Sequence, residues 1–429
     1  MKHLLQKVLK ILAKLILVKY KPEVIGITGS VGKTSAKEAV YAVLKAKFKV
    51  RQSLKNYNNE IGVPLTIIGV ESPLSSVFGW IKVFFLAIKL LIKNDQDYPK
   101  ILILEMAADK PGDLDYLTDI TDCKIGVLTA IGDSHIENFK TLDNIKNEKI
   151  TLIRKLAKTG WAVLNLDDEK IAEAVKETKA KVFTFAIDRE AQVRGQEIRL
   201  RFPVGEANNE EFGSSFKLIH QGSFAPVFLP GTISRAGVYS ALAGAAVGVI
   251  YGLNLIKISQ ALKKYNSPNG RMKILSGIKK TFIIDDTYNA SPVSSALALE
   301  TLGQITVLAG ANKYAVLGDM LELGALSEPG HEKVGRAVVK NKIDKLIVVG
   351  ERSRDIARGA KAAGMKEDNI FHFATTDEAG KFMEERIKTG DIVLVKGSQG
   401  ARLEKLVEKI MAEPLKAGEL LVRQGREWK

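Results

Sequence analysis

The stretch Gly26-Ile27-Thr28-Gly29-Ser30-Val31-Gly32-Lys33-Thr34 lies between a short β-branched run and a stretch of helical character over about 33–45. Glycines there let successive backbone amides turn toward a triphosphate, and the amino end of the following helix favours anionic charge. Lys33 can reach the outer phosphates and Thr34 can ligate Mg²⁺. The pattern therefore predicts a phosphate-binding loop, with a plain glycine-rich turn as the alternative. The predicted nucleotide-binding residues here are Gly29, Ser30, Val31, Gly32, Lys33, Thr34 and Ser35.

The spacing of this loop is a variant. The strict Walker pattern needs glycine at position 27, where this chain has Ile27. The sequence Gly-Lys-Thr after a strand nevertheless keeps the phosphate-binding interpretation.

Outward from the loop, patterns typical of buried strands alternate with helical ones. Strands are predicted at 24–28, 100–104, 125–129 and 161–165. Such alternation indicates a mainly parallel sheet covered by helices. From about Phe183 to Leu229 the pattern changes to short alternating stretches with Gly, Asn and Pro, which predicts an antiparallel edge region. A closing helix of small residues is predicted at 238–250.

A turn cluster at Ser267-Pro268-Asn269-Gly270 separates this first unit from a second. Further strands are predicted at 281–285, 314–317, 345–349 and 392–395, with helices between them. This series predicts a smaller, Rossmann-like α/β domain that binds ligands at the carboxyl ends of its strands. The predicted organisation is a basic helix at 1–21, an ATP-binding domain at 22–267 with an apolar insertion at 73–93, and a second domain at 268–429.

Composition is that of a folded globular protein. A chain of 429 residues is long enough for two or three cores, and hydrophobic and charged fractions of 46% and 26% exclude a disordered tail and a multi-span membrane protein. The net charge of +15 favours anionic partners such as nucleotides, nucleic acid or an anionic membrane face. The single cysteine, Cys123, excludes an intramolecular disulfide and a cysteine-based metal cluster.

Two apolar segments contain lysines and no acid. Residues 1–21 carry six lysines among leucines and isoleucines spaced three and four apart, which predicts a basic amphipathic helix and argues against a secretory signal. Residues 77–92 are interrupted by two lysines, which argues against a bilayer-spanning helix. We predict a cytoplasmic protein in peripheral contact with the inner membrane face through residues 1–20 and 77–92. The alternative is that the two helices simply pack on each other or on the domain.

Many blocks in one order resemble the Mur ligase family, and the resemblance covers most of the chain. Besides the variant loop, the shared blocks are Asn56-Tyr57-Asn58-Asn59-Glu60-Ile61-Gly62-Val63-Pro64-Leu65-Thr66, Leu104-Glu105-Met106-Ala107-Ala108-Asp109-Lys110-Pro111-Gly112, His135-Ile136-Glu137-Asn138-Phe139, Asn165-Leu166-Asp167-Asp168, Asn269-Gly270-Arg271-Met272, Asp285-Asp286-Thr287-Tyr288-Asn289-Ala290, Leu317-Gly318-Asp319-Met320-Leu321-Glu322-Leu323-Gly324 and Val395-Lys396-Gly397-Ser398. The chain is most similar to the branch that adds D-alanyl-D-alanine to a muramoyl peptide. The resemblance implies a central ATP-binding domain followed by the family's smaller C-terminal domain.

The resemblance also implies a metal site. Glu105 ends a predicted buried strand, where an unpaired carboxylate is costly unless a cation or a donor meets it. By themselves, His135 is typical of a surface loop and Lys149 of an exposed helix; the resemblance makes both metal ligands, Lys149 after carbamylation, because a bare lysine repels a cation. The residues expected to hold Mg²⁺ are Thr34, Glu105, His135 and Lys149, and those expected to be catalytic are Lys33, His135 and Lys149.

Residues of the second domain are expected to complete the nucleotide site. Arg271 is placed to reach a phosphate held by the first domain, so domain closure would complete the site. Asp286 and Asn289 end a strand and are expected beside the nucleotide. The residues expected to bind the substrates are Asn58, Asn59, Asp319, Glu322, Lys396 and Ser398. A capped turn is the alternative for the two asparagines, and helix capping for Asp319 and Glu322.

The reaction implied by the resemblance is phosphoryl transfer from ATP to a carboxylate, followed by attack of an amine on the acyl phosphate. The expected substrates are a small cell-wall precursor and an amino acid or dipeptide, with ATP and Mg²⁺ as cofactors and no nucleic acid. A folylpolyglutamate-synthase-like ligase and a non-catalytic, membrane-associated nucleotide-binding protein are the alternatives.

Two departures from the family pattern are visible. Only 23 residues precede Val24, so the family's amino-terminal UDP-sugar-binding domain is expected to be absent. Ala236-Gly237-Val238-Tyr239-Ser240 stands where the family tends to have His-Asn and a later Asn, so hydrogen bonds to the nucleotide from that helix are expected to be missing.

Overall fold

The computed structural model describes residues 2–53, 57–202, 212–425 and 428. Asn56, the first residue of one family-like block, lies outside these ranges. The strands are β1 (Glu23–Thr28), β2 (Val50–Gln52), β3 (Ile101–Glu105), β4 (Cys123–Leu128), β5 (Trp161–Asn165), β6 (Lys181–Ala186), β7 (Val193–Arg201), β8 (Gly213–His220), β9 (Ser223–Pro230), β10 (Lys273–Gly277), β11 (Thr281–Asp286), β12 (Lys313–Gly318), β13 (Lys345–Val349), β14 (Ile370–Phe373) and β15 (Ile392–Lys396). The helices are α1 (Lys2–Tyr20), α2 (Lys33–Lys45), α3 (Gly62–Ile68), α4 (Val77–Ile92), α5 (Asp113–Ile120), α6 (Ile136–Phe139), α7 (Leu142–Arg154), α8 (Glu169–Glu173), α9 (Arg235–Ile250), α10 (Leu255–Leu262), α11 (Pro292–Gln304), α12 (Ser327–Lys340), α13 (Arg354–Ala362), α14 (Thr376–Arg386), α15 (Glu404–Ile410) and α16 (Ala417–Leu420).

The first nine strands form one sheet in the order β2-β3-β1-β4-β5-β6-β7-β8-β9. Pairing is parallel from β2 through β7 and antiparallel between β7, β8 and β9. The central strands β1, β3 and β4 are largely buried, as expected when helices cover both faces of a parallel sheet. The carboxyl ends of β1, β3 and β4 therefore lie side by side, with Ile27 paired to both Glu105 and Val127.

Two layers of helices cover this sheet. One face carries α2, α9 and α10, and the other carries α1, α3, α4, α5 and α7. Small residues let α9 approach α2 closely: a Cβ on Gly244 would lie 2.9 Å from the backbone carbonyl carbon of Ala39. This close approach fixes α9, whose amino end points toward the phosphate-binding loop side of the domain.

The remaining six strands form a second sheet in the order β10-β11-β15-β12-β13-β14. Only β10 is antiparallel to its neighbour. Apolar clusters lie on both faces, so this unit has a core of its own. The predicted fold class, a mainly parallel phosphate-loop domain followed by a smaller Rossmann-like domain, is confirmed. We keep the domain limits at 22–267 and 268–429 as a proposal.

The structure corrects one expectation about the edge of the first sheet. Phe183 does not begin an antiparallel region, because β6 pairs in parallel with β5 and with the start of β7. The antiparallel pairing begins between β7 and β8. β6 is largely apolar, as a strand covered on both faces requires, whereas β7 alternates between charged and apolar residues from Arg194 onward.

The two lysine-containing helices form where the sequence predicts them, at Lys2–Tyr20 and Val77–Ile92. They pack on each other and on α3. Lys19 Nζ donates hydrogen bonds to the carbonyl oxygens of Leu90 and Leu91, at 2.7 and 3.1 Å, at the carboxyl end of α4. Tyr20 stacks on Tyr98 with ring centroids 4.1 Å apart. In the described part of the chain, no helix has both the length and the apolarity needed to cross a membrane.

Cys123 begins β4 next to the strand that leads into the loop. A Cβ on Gly26 would lie 2.9 Å from Cys123 Sγ, so only glycine allows this contact. Burial raises the pKa of the Cys123 thiol to about 11.

Candidate nucleotide and metal site

The loop between β1 and α2 has the geometry of a phosphate cradle. Gly29 and Gly32 have φ values of 152° and 86°, a region that L-residues rarely adopt. A Cβ on Gly29 would also lie 2.1 Å from Thr129 Oγ1, so glycine is required there for space as well. Gly32 then leads into the amino end of α2, where backbone amides and the helix dipole favour an anion.

The turn after β4 holds this loop in place. Ser30 N donates to the carbonyl oxygen of Ala130 at 2.7 Å, and Thr129 Oγ1 donates to the carbonyl oxygen of Val31 at 2.6 Å. The Ser30 hydroxyl lies 2.9 Å from both the N and O atoms of Gly132. The cradle is therefore preorganised by contacts with the neighbouring strand end.

Lys33 begins α2 and folds back over the loop. Its Nζ donates to the carbonyl oxygen of Gly29 at 2.7 Å. Burial lowers the pKa of Lys33, and the charge of Arg271 lowers it further, while the carboxylate of Glu105 opposes this shift. A loop lysine in this position can turn toward a phosphate oxygen without a change of backbone.

Glu105 stands at the carboxyl end of β3 and is 2% exposed. Its Oε1 accepts a hydrogen bond from Asn58 Nδ2 at 3.1 Å, whereas its buried Oε2 has no hydrogen-bond partner. A buried carboxylate oxygen without a donor is costly, and a bound cation is one group that removes the cost. Glu105 therefore fits the role of metal ligand.

Lys149, on α7, is 1% exposed and forms no hydrogen bond or ion pair with the described residues. Burial and the nearby positive charge of Lys33 lower its pKa to about 7. The expectation of an exposed helical lysine is therefore wrong. With this pKa about half of the amine is uncharged at pH 7, whereas an ordinary lysine is almost fully protonated there, and the uncharged form is the one that reacts with carbon dioxide.

His135 joins the two domains. Its Nδ1 lies 2.6 Å from Glu322 Oε2 of the second domain, and its Nε2 lies 3.5 Å from Asp109 Oδ1 of the first. His135 and Glu322 both have left-handed backbone conformations, with φ values of 60° and 63°. The imidazole of His135 beside the Glu322 carboxylate lowers the pKa of Glu322. The domains are closed on one another at this point.

The second domain brings its own groups to the loop. The guanidinium of Arg271 lies 3.9 Å from the ring centroid of Tyr288. Lys396 Nζ is 2.6 Å from Asp286 Oδ2 and donates to the carbonyl oxygen of Asn289 at 2.9 Å. Lys396, predicted as a substrate-binding residue, thus lies with the predicted nucleotide-binding residues.

A cleft between the domains collects most of the predicted nucleotide-binding residues. Its lining includes Ser30, Val31, Gly32, Ser35, Arg271, Asp286, Asn289 and Lys396. Ala236 and Gly237, the positions that depart from the family pattern, lie at the same cleft, where Ser234 caps the amino end of α9. Gly29, Thr34, Glu105, His135 and Lys149 are not among the lining residues, so the metal-binding candidates lie beside the cleft.

The other predicted substrate-binding residues have structural partners. Asn59 Oδ1 accepts hydrogen bonds from the backbone N of Ile61 and Gly62 and so caps α3. Asp319 Oδ1 accepts from Ser353 N at 2.8 Å, and the Ser398 hydroxyl accepts from Leu321 N at 2.9 Å. These contacts shape the turns that face the first domain; contact with a substrate stays a prediction.

Sequence reasoning missed several residues at the site. Asp109 lies within a family-like block but was assigned no role, although it is the carboxylate beside His135 Nε2. Tyr265, 1% exposed, lines the cleft, and nothing in its local sequence marks it. Arg423, near the end of the chain, donates to the carbonyl oxygens of Thr287 and Tyr288 at 2.5 and 3.0 Å. Only the tertiary fold brings it there.

The metal-binding candidates fit Mg²⁺ better than a metal that needs a full set of protein ligands. Among the residues that the structure describes, no group of three or more His, Cys, Asp and Glu side chains is placed to hold a metal ion. Mg²⁺ usually takes one or two carboxylates and completes its shell with phosphate oxygens and water. Glu105, with its unpaired buried oxygen, and Thr34 on the loop are suited to that arrangement.

Each of the two domains is similar to a domain of known proteins. The Mur ligase middle domain matches residues 27–73 and 86–247, and the Mur ligase glutamate ligase domain matches residues 270–399. The UDP-N-acetylmuramoyl-tripeptide--D-alanyl-D-alanine ligase of Bacillus subtilis (strain 168) is 27% identical over 404 residues, covering 94% of this chain and 79% of that protein. The ligase of the same name from Mycobacterium tuberculosis (strain CDC 1551 / Oshkosh) is 31% identical, covering 91% and 73%.

Solved structures agree in fold. A crystal structure of MurF from Acinetobacter baumannii superposes with a TM-score of 0.77 and 25% identity, over 94% of this chain and 79% of that one. MurF ligase from Thermotoga maritima in complex with ADP gives a TM-score of 0.76 and 26% identity, over 96% and 84%. The phosphate loop, the buried carboxylate of Glu105 and the second domain follow one another along the chain in the order that the family has. The chain belongs to the Mur ligase family.

Proposed function

We propose that the chain is an ATP-dependent ligase that joins D-alanyl-D-alanine to the terminal carboxylate of a UDP-N-acetylmuramoyl-tripeptide. In the first step a carboxylate oxygen attacks the γ-phosphorus of ATP, and ADP leaves. The dipeptide amine then attacks the acyl carbon, phosphate leaves, an amide forms and the amine loses a proton. The names of the most similar relatives support this choice of substrates.

The observation that carries the proposal is the convergence of two domains on one cleft. The first domain contributes the cradle residues Ser30, Val31 and Gly32, beside which Lys33 bonds the loop carbonyl of Gly29. The second contributes Arg271 and the Lys396–Asp286 pair. A nucleotide whose phosphates lie against the cradle can thus meet positive charge from both sides. This arrangement suits charge stabilisation in phosphoryl transfer, for which positioning and electrostatics supply most of the catalysis.

Mg²⁺, when bound, would screen the charge of the transferring phosphoryl group. We propose that Glu105 and Thr34 hold it, with His135 and Lys149 serving as further ligands. Lys149 would serve after carbamylation, since its amine is buried beside Lys33 without an ion pair among the described residues and its pKa is lowered to about 7. A ¹³C signal from bicarbonate-labelled protein that disappears in Lys149→Ala tests this role; the same signal in the variant would contradict it.

A phosphate-release assay tests the reaction. We expect ADP and phosphate only when UDP-N-acetylmuramoyl-tripeptide and D-alanyl-D-alanine are both present, with a product whose mass is the sum of the two minus water. Lys33→Ala should abolish release. Release with a folate and glutamate instead would favour the folylpolyglutamate-type alternative. Nucleotide binding without turnover on any pair would favour the non-catalytic one.

We also propose that the chain works in the cytoplasm with small-molecule substrates and without nucleic acid. Peripheral contact with the inner membrane face through residues 1–20 and 77–92 is part of this proposal. The large apolar side chains that α1 and α4 expose support it.

A further inference from the structure

Helices α1 and α4 each expose a row of large apolar side chains. The rows, which we call the apolar face, consist of Leu4, Ile11, Leu15 and Val18 on α1 and Val77, Phe78, Ile81, Phe85, Ile88 and Ile92 on α4. Most successive members are three or four residues apart, so each row follows one side of its helix. Phe78 is 85% exposed and Ile92 is 77% exposed. A folded protein seldom leaves so many large apolar groups together in water without a partner.

The side chains of the apolar face are not the ones that pack the two helices onto the domain. Leu9, Ala13 and Ile16 of α1 and Val83 and Ala87 of α4 are buried on the opposite sides of the helices. Each helix therefore has two apolar sides, one packed on the domain and one exposed. The bonds from Lys19 to Leu90 and Leu91 tie the carboxyl ends of the two helices together, so the two rows belong to one body.

Lysines border the apolar face. On a helical projection, Lys7 and Lys14 lie along one side of the row of α1, and Lys82 and Lys89 lie along one side of that of α4. Neither helix contains an acidic residue. Lys14 lies near Asp119, but Lys7, Lys82 and Lys89 have no carboxylate partner among the described residues. The surface is thus apolar at its centre and cationic at its edge.

Helix α1 lies outside the regions that match the family, and the first part of α4 does too. The match begins at residue 27, after α1, and it is interrupted between 73 and 86, within which Phe78, Ile81 and Phe85 lie. The row on α1 and four of the six members of the row on α4 therefore lie outside the matched regions.

We propose that the apolar face docks on the surface of a bilayer that contains anionic lipid. The apolar rows would enter the boundary between headgroups and acyl chains, to a depth of about 5–10 Å, while the lysines meet lipid phosphates. A second copy of this chain fits less well, because it would bring lysines against lysines around the same apolar centre. This inference is independent of the proposed reaction, and its test needs neither ATP nor substrate.

Docking would also orient the catalytic domain. α1 and α4 pack on α3, whose amino end is capped by Asn59, one residue after the Asn58 that bonds Glu105. A short, buried helix thus connects the proposed membrane surface to the metal-binding side of the site.

Vesicle flotation with the full chain tests the proposal. We expect binding to vesicles of equal parts phosphatidylglycerol and phosphatidylcholine, weaker binding to phosphatidylcholine alone, and weaker binding in high salt. Phe78→Ser combined with Phe85→Ser should lower the vesicle affinity by roughly tenfold or more, because two exposed aromatic side chains no longer enter the lipid. Lys82→Gln combined with Lys89→Gln should remove the preference for anionic vesicles while leaving the fold intact.

Matched controls separate this surface from general charge and hydrophobicity. Phe224→Ser removes an exposed phenylalanine, 64% accessible, from β9. Lys176→Gln with Lys179→Gln removes the same charge from the exposed segment that follows α8, and both variants should bind like the parent. Absence of vesicle binding by the parent chain would overturn the proposal, as would unchanged binding by the double phenylalanine variant. A concentration-dependent dimer that the phenylalanine variant abolishes, without vesicle binding, would assign the face to a second copy instead.

Discussion

Lys33 is the residue whose charge the proposed reaction uses most directly. It begins α2 and now bonds the carbonyl oxygen of Gly29. Lys33→Ala should lower kcat by roughly a hundredfold or more, because one preorganised cation near the transferring phosphoryl group is lost. Lys45→Ala, at the exposed end of the same helix, is the matched control and should leave kcat unchanged. A fall in kcat of the same size in both variants would show that the effect comes from α2 stability.

Lys149 gives a pH-dependent prediction. Its pKa is about 7 in the folded chain and close to 10.5 when unfolded, so between these values the unfolded state binds more protons and the free energy of unfolding rises with pH. The free energy of unfolding rises by at most about 1.4 kcal/mol per pH unit in this range. The destabilisation caused by burying the Lys149 amine is largest below pH 7. In CO₂-free, Mg²⁺-free buffer, Lys149→Met should be more stable than the parent at pH 6, with the difference disappearing toward pH 10.5. A constant difference across denaturant titrations at these pH values would contradict the buried, uncharged state.

For single residues, the sequence predicts which of them lie near the site better than it predicts which groups they contact. The strand ends placed Glu105 and Asp286 at the site, because carboxyl ends of parallel strands share one edge. The exposed helical lysine expected without the family was wrong, because the local helical pattern does not report how α7 packs. Whether Asn59 or Asp319 touches a substrate stays a prediction, since their side chains serve turns as well.

Among the elements, the carboxyl-terminal segment after α16 supports the turn that follows β11. Arg423 joins the carbonyl oxygens of Thr287 and Tyr288 to the buried carboxylate of Glu404, which Arg402 also contacts at 2.6 Å. Arg423→Met should cost about 3 kcal/mol of stability by leaving Glu404 partly unpaired, and it should raise the KM for ATP because the turn beside Asn289 loses its anchor.

Arg402, the other arginine that contacts Glu404, provides the control for that prediction. Arg402→Met removes the other partner of Glu404 but no contact to Thr287 or Tyr288, so it should lower stability without changing the KM for ATP. Urea unfolding and initial rates at varied ATP measure both quantities. An unchanged KM in Arg423→Met would show that the turn holds its shape without the tail.

Long, continuous apolar strands were predictable from sequence, and short or edge strands were not. β1, β5 and β13 lie within about two residues of their predicted bounds, since their runs of buried branched residues are distinctive. β2 was missed because three residues, Val50–Gln52, carry too little pattern. β10 was missed because it is a half-buried edge strand whose antiparallel pairing depends on β11.

On the scale of the whole molecule, the two domains meet near His135 and also where Phe212 of the first domain packs on Phe282 of the second. Glu322 Oε2 of the second domain lies 2.6 Å from His135 Nδ1 of the first, and Glu137 N donates to the carbonyl oxygen of Glu322 at 3.4 Å. Glu322→Ala should shift the chain toward a more open state, since interfaces between domains of one chain generally permit movement. Small-angle scattering should then give a larger radius of gyration without nucleotide. Glu351→Ala, which removes an exposed ion pair within the second domain, is the control. Equal radii of gyration in the two variants would contradict the role of the Glu322–His135 contact in holding the domains closed.

The order of the two domains could be predicted from sequence, but their mutual placement could not. The alternation of strand and helix patterns predicted a parallel sheet in each domain separately. The contact between His135 and Glu322 joins residues 187 positions apart, both in loops that have no periodic pattern. Such contacts depend on how two finished domains dock.

The half-buried Cys123 makes the natural chain convenient for site-specific labelling. With a thiol pKa of about 11, roughly one molecule in 10,000 carries the reactive thiolate at pH 7, so maleimide reagents should react far faster with a cysteine introduced on the surface. Since the chain has no other cysteine, a fluorophore or spin label can be placed at Phe78 to report immersion depth. Labels at two exposed positions, one in each domain, would report interdomain distance during turnover. Both measurements can be made without first removing the native thiol.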